Sequence, residues 1–141
     1  MSTSLSGRCL CGAVTYSADA EPMMVAICHC QDCQRQSGSP FSLNVAIDRA
    51  ALTLEGESLK SFQTTGSDSG QTRQRMFCGT CGSPVVTILA EADDMAFIKA
   101  GTLEDGSWLA PELELFTESA HPWVHAEDAE ERGLFPRSIP T

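Results

Sequence analysis

The residues of this chain best suited to chemistry are its seven cysteines, gathered into three short knots. Cys9-Leu10-Cys11-Gly12 stands near the start, Cys28-His29-Cys30-Gln31-Asp32-Cys33 follows, and Cys78-Gly79-Thr80-Cys81-Gly82 comes late. Thiolates two or three residues apart can curl round one Zn²⁺ with little chain strain, and a structural zinc takes four ligands in a tetrahedron. A glycine directly after a ligand lets the backbone adopt an unusual φ and bring N–H groups close to sulfur. The first and third knots both end in such a glycine, so Cys9, Cys11, Cys78 and Cys81 are read as one closed site. Cys28, Cys30 and Cys33 then form a second site of three ligands with a vacant fourth position, the pattern of a reactive zinc. Another partition, joining Cys9 and Cys11 to the middle knot and stranding Cys78 and Cys81, stays open on spacing alone. An odd cysteine count argues against a disulfide framework.

The elements that must position these knots read as strands. Phe41–Ile47 alternates apolar with small or polar residues at a period of two, and Leu113-Glu114-Leu115 repeats the pattern. Further strand signals fall at Ala13–Tyr16, Met24–Ile27, Leu52–Leu54, Thr72–Phe77, Val85–Leu89 and Ala96–Ile98. Gly56, Gly66–Gly70 and Asp105-Gly106 supply the turns between them. Helix is expected at two places: one turn over Gln31–Gln36 beside the cysteines and one surface turn over Glu127–Arg132. The expectation is an all-β fold with minimal helix. Residues 1–141 are read as a single domain with its core over about 5–124 and an acidic tail at 125–141.

Composition narrows the partners. Nineteen acidic against nine basic residues give a net charge of −10. Phosphate backbones would repel such a chain, and no Lys/Arg cluster offsets this, so nucleic acid is not an expected partner. No apolar run approaches the length of a membrane span, and the first residues lack the basic and apolar regions of a signal peptide. A cytoplasmic location, where thiols stay reduced, follows as the expectation.

Together, Gly7–Gly12, Cys28–Arg35, Ser37-Gly38-Ser39, Phe77–Ser83, Phe116–Ser119 and Pro122-Trp123 resemble the glutathione-dependent formaldehyde-activating family. The resemblance spans nearly the whole chain in order. It implies a β-tent fold with two zinc ions, one held by four cysteines and one by three. It also implies carbon–sulfur lyase chemistry, making or breaking the hemithioacetal of glutathione and formaldehyde.

The residues are consistent with that chemistry. Zinc held by three thiolates is electron-rich, a weaker Lewis acid than zinc held by three neutral histidines, and better suited to keeping a fourth sulfur ionised than to activating water. Cys28, Cys30 and Cys33 are therefore the candidate catalytic centre. Carboxylates on the thiol would need cations. Arg73 and Arg75 share one face of a strand leading to Cys78, and Arg35 lies two residues past Cys33, so these three are the candidate substrate-binding residues. His29, between two ligands on extended backbone, is expected to face away from the sulfurs in a packing or hydrogen-bonding role. His125-Ala126-Glu127 lacks the Pro-Cys-x-x-Cys that a deaminase reading needs. Trp108, Trp123 and Phe116 are expected in the core or a pocket wall. Competing with the lyase are a non-catalytic zinc-binding module and a thiol redox or metal-buffering protein.

Overall fold

The computed structural model describes residues 4–67, 69–124 and 132–139. Strands dominate, as expected for an all-β fold. In chain order they are β1 (Ser4–Arg8), β2 (Thr15–Asp19), β3 (Met24–Cys28), β4 (Ser42–Asp48), β5 (Leu52–Glu55) and β6 (Leu59–Thr65). Then come β7 (Thr72–Cys78), β8 (Pro84–Leu89), β9 (Met95–Lys99), β10 (Leu113–Leu115) and β11 (Gly133–Leu134). The α-helix among the described residues is α1, Gln31–Ser37, beside the middle cysteine knot. The surface turn expected at Glu127–Arg132, apart from Arg132 itself, and residues 125–131 and 140–141 of the acidic tail lie outside the described residues.

Two sheets form. The smaller has the order β1-β2-β5, and the larger β11-β10-β3-β4-β9-β8-β7-β6. Pairing is antiparallel except at β10, which runs parallel to both β3 and β11. The period of two along β4 separates two environments. Val45 and Ile47 are fully buried and join Ile98, Val86 and Ile88 in one cluster with Leu5, Tyr16 and Ala18 of the small sheet. Each such aliphatic side chain contributes about 1.5–3 kcal/mol when fully buried. Ser42 and Asn44, on the opposite face of β4, are also buried, but among polar groups.

Close packing between the layers explains one glycine. Gly7 lies opposite Tyr16 in the β1–β2 ladder. A Cβ there would collide with the Thr102 carbonyl oxygen and with the Tyr16 ring. No helix among the described residues is long and apolar enough to cross a membrane.

Candidate metal centres

The four-cysteine site is built where two turns meet. Cys9 and Cys11 flank the turn leaving β1, while Cys78 ends β7 and Cys81 lies in the turn before β8. Gly12 and Gly82 each take φ +81° and donate their N–H back to Cys9 and Cys78 carbonyls. This folds each knot around its sulfurs. Backbone N–H groups of Val14, Thr80 and Cys81 point at Cys9 or Cys78 Sγ at 3.3–3.5 Å. The sulfurs stand 3.7 Å apart for Cys9–Cys11 and 3.8 Å for Cys11–Cys78. With Zn–S near 2.3 Å, a tetrahedron sets S···S at roughly 3.8 Å, so the donor set fits zinc in type and spacing.

The second cluster draws on a strand end and a helix start. Cys28 closes β3, Cys30 is the N-cap of α1, and Cys33 lies in its first turn. Cys30 Sγ accepts the Cys33 backbone N–H at 3.3 Å, so the capping bond also aims the sulfur inward. The Cys33 and Cys28 sulfurs are 3.5 Å apart, and all three lie within 4.8 Å of one another. The groups the structure brings together are Cys9/Cys11/Cys78/Cys81 and Cys28/Cys30/Cys33, and either can hold a metal ion.

Charge explains why a cation suits both. The Cys28 thiol is pushed up by the neighbouring Cys30 and Cys33 sulfurs, whereas hydrogen bonds from Cys28 and Cys30 hold Cys33 down. Cys30, relieved by Cys28 but opposed by Cys33 and burial, rises to about 11. In the other cluster the Ser83 hydroxyl holds Cys81 at about 5. In the three-cysteine group Cys33 ionises readily while Cys28 and Cys30 resist, in the four-cysteine group Cys11 resists beside Cys81, and a divalent cation removes that conflict.

Strand register places the three-cysteine cluster beside a cleft. Directly opposed residues share a sheet face. Leu115 pairs with Cys28, Cys28 with Ser42, Asn44 with Lys99, Phe97 with Thr87, and Thr87 with Arg75. This polar face of the large sheet forms the floor of a cleft of about 160 Å³, partly open to solvent. The α1 helix roofs it, and Asp32 accepts hydrogen bonds from Ser67 N and Oγ in the β6–β7 turn. Arg73 and Arg75 both line the cleft with Cys28, Cys30 and Cys33. Arg73 is ion-paired with Glu91, while Arg75 donates its Nε–H to Thr64 Oγ1 at 3.2 Å. Arg35 is exposed on α1 and borders a neighbouring groove instead.

Sequence reasoning missed Asn44 and Thr87, and counted Lys99 only among the scarce cations that an anionic ligand would have to find. Lys99 is 8% exposed, lines the cleft and donates to Asn44 Oδ1 at 3.0 Å. Asn44 donates in turn to Ser42 Oγ at 2.9 Å. Burial pushes the Lys99 ammonium below its ordinary value, opposed by the Cys33 sulfur and reinforced by Arg75. For Asn44 the available signal was the alternation of polar Ser42 and Asn44 with apolar neighbours in β4.

His29 is buried with its Nε2 2.8 Å from Glu114 Oε1, and its ring packs near Phe41. It stands outside the sulfur cluster. Phe116 lines the cleft, but Trp123 is 64% exposed and stacks on His121, so it is not a core residue. The stacking partner, two residues away, holds it at the surface. Trp108 is also partly exposed, its indole N–H bound to the Asp105 carbonyl.

Comparison with known proteins agrees with this architecture. An uncharacterized lyase of Schizosaccharomyces pombe is 27% identical over 94 residues, 67% of this chain and 64% of that protein. The chain thus spans under two-thirds of that relative's length. A crystal structure of a Rhodobacter sphaeroides protein superposes with a TM-score of 0.57 at 21% identity, covering 75% of this chain and 91% of that one. It shares the fold. Residues 4–119, which carry all seven cysteines, match the model for the glutathione-dependent formaldehyde-activating enzyme, and the chain belongs to that family.

Proposed function

We propose that this protein is a zinc-dependent carbon–sulfur lyase. It forms or cleaves the hemithioacetal of glutathione with formaldehyde or a related small aldehyde, S-hydroxymethylglutathione in the simplest case. The observation that carries the reading is the position of Cys28, Cys30 and Cys33 in the wall of a cleft that also holds cationic side chains. A purely structural zinc site needs no such access.

Zinc bound by these three cysteines would keep a substrate thiol ionised at neutral pH. In the addition direction the thiol sulfur bonds to the aldehyde carbon as the carbonyl π pair moves to oxygen. That oxygen takes up the proton the thiol gave up. Cleavage reverses each move, and nothing is oxidised or reduced. The chain's residues supply binding and orientation. The capped start of α1 fixes Cys30 and Cys33, His29 is tied to Glu114 behind them, and Phe116 walls the cleft. Arg75, with Arg73 at its side, offers positive charge to the carboxylates of the thiol.

Formaldehyde release from S-hydroxymethylglutathione, measured with a trapping reagent, tests the proposal. Zinc-loaded protein should accelerate release, chelated protein should not, and restoring zinc should restore the rate. Equal rates in all three samples would refute it.

A further inference from the structure

Three adjacent strands of the cleft floor present hydrogen-bond donors whose capacity the protein does not use. On β7, Arg75 is 5% exposed, and its Nη1 is buried with no partner. On β8, Thr87 is 6% exposed, and its Oγ1 is likewise buried and unpartnered. On β9, Lys99 spends one of its three N–H bonds on Asn44 Oδ1. The pairings Arg75–Thr87 and Thr87–Phe97, with Lys99 two residues beyond Phe97, put all three on one face. All three line the cleft.

The carboxylates nearby are committed elsewhere. Glu91 is ion-paired with Arg73, and Asp32 accepts from Ser67. Among the described residues neither Arg75 nor Lys99 pairs with a carboxylate. The Cys33 sulfur offsets part of the Lys99 charge, but the buried Arg75 Nη1 and Thr87 Oγ1 are costly to leave without a further anionic partner. A guanidinium fork beside an ammonium and a hydroxyl matches a carboxylate.

We propose that Arg75, Thr87 and Lys99 form a carboxylate seat that anchors the acid-bearing end of the thiol substrate, a deepening that rests on the lyase reading above. Strand spacing selects the thiol over the aldehyde as the ligand. Cys28 on β3 is four strands from Arg75 on β7, about 19 Å between backbones at roughly 4.8 Å per strand. Even after the long side chains reach back, a one-carbon aldehyde cannot bridge that gap. An extended thiol carrying a carboxylate several bonds from its sulfur can. Arg73, already neutralised by Glu91, borders the seat rather than forming it.

The test is equilibrium binding to the zinc-loaded full chain, read by calorimetry. The probe is S-methylglutathione, whose thioether keeps both carboxylates but cannot act as a thiol. Its dimethyl ester, which lacks both carboxylate charges, is the comparison. Arg75→Gln should weaken binding roughly ten- to a hundredfold. Thr87→Val, nearly isosteric and less of a threat to folding, should weaken it several-fold, and the diester should bind poorly to every variant. Arg49→Gln, which removes an exposed cation outside the cleft, should match the parent protein. Unchanged affinity in Arg75→Gln and Thr87→Val, with both zinc ions retained, would overturn the seat. So would equal binding of diacid and diester. Loss of the second zinc from Arg75→Gln with normal binding by Thr87→Val would also overturn it, making Arg75 a counter-charge to the cysteines. The readout needs no turnover. Arg75-dependent binding without hemithioacetal exchange would fault the lyase reading alone, and exchange with Arg75-independent binding would fault the seat alone.

Discussion

Replacing Cys81 and Cys30 by serine, one at a time, removes a ligand from each metal site with the same small change of side chain. Both residues are partly exposed, so the substitutions leave little cavity. Their consequences for stability should differ because the two metals close loops of different length. The four-cysteine site bridges sulfurs 67 positions apart, as between Cys11 and Cys78. The three-cysteine site spans 5 positions, from Cys28 to Cys33. Loop-closure entropy scales as (3/2)RT ln n, so the longer staple restrains the unfolded chain by about 2.3 kcal/mol more. For a chain of this size that corresponds to roughly 5–9 °C in melting temperature. Cys81→Ser should therefore melt lower than Cys30→Ser by about that margin, while Cys30→Ser alone should lose the cleft metal. Calorimetric melting with a zinc count on each purified variant makes the comparison. If Cys30→Ser proves the less stable, or both fall equally, the division into a structural staple and a locally held site is wrong.

Two further outcomes follow from the same geometry. A graded chelator titration of zinc-loaded protein should remove one ion well before the other, because three thiolates in an open cleft hold less firmly than four in a closed knot. A single metal equivalent in reduced, zinc-supplied protein would contradict this. Gly7→Ala should destabilise by about 1–3 kcal/mol, since its methyl group meets the Tyr16 ring and the Thr102 carbonyl. Denaturant unfolding checks it, and Tyr16→Phe in the same background should leave most of the loss in place, because the Thr102 clash remains.

Much of the fold was legible in the chain because its central strands carry strong patterns. The β4 segment showed its period of two, and the helical turn beside the middle knot was marked by Cys30 and Gly38 at its ends. Three strands were not anticipated. In β1, Leu5 and Gly7 face inward, but serines and a glycine hide the alternation. β6 is an edge strand with every residue at least partly exposed, so packing imposes no pattern on Leu59–Thr65. β11 has two residues and exists by its pairing with β10.

At the site, joining the first cysteine knot to the third, 67 positions apart, rested on the glycine that ends each, but each knot by itself was readable because its ligand spacing is local. Lys99 was not. It looked like a charged strand end, and its orientation depends on pairing with Asn44, 55 positions away. Arg35 shows the converse. Its two-residue distance from Cys33 suggested the site, but on a helix that offset turns it away from the ligand face.

Magnetisation-exchange NMR on glutathione and formaldehyde tests the central claim most directly, comparing zinc-loaded protein with Cys30→Ser. The account predicts exchange between free thiol and hemithioacetal well above the uncatalysed rate in the parent. It predicts the uncatalysed rate in a folded Cys30→Ser that keeps only its four-cysteine zinc. Exchange at the uncatalysed rate in a parent carrying two zinc ions, or undiminished catalysis in Cys30→Ser, would contradict it.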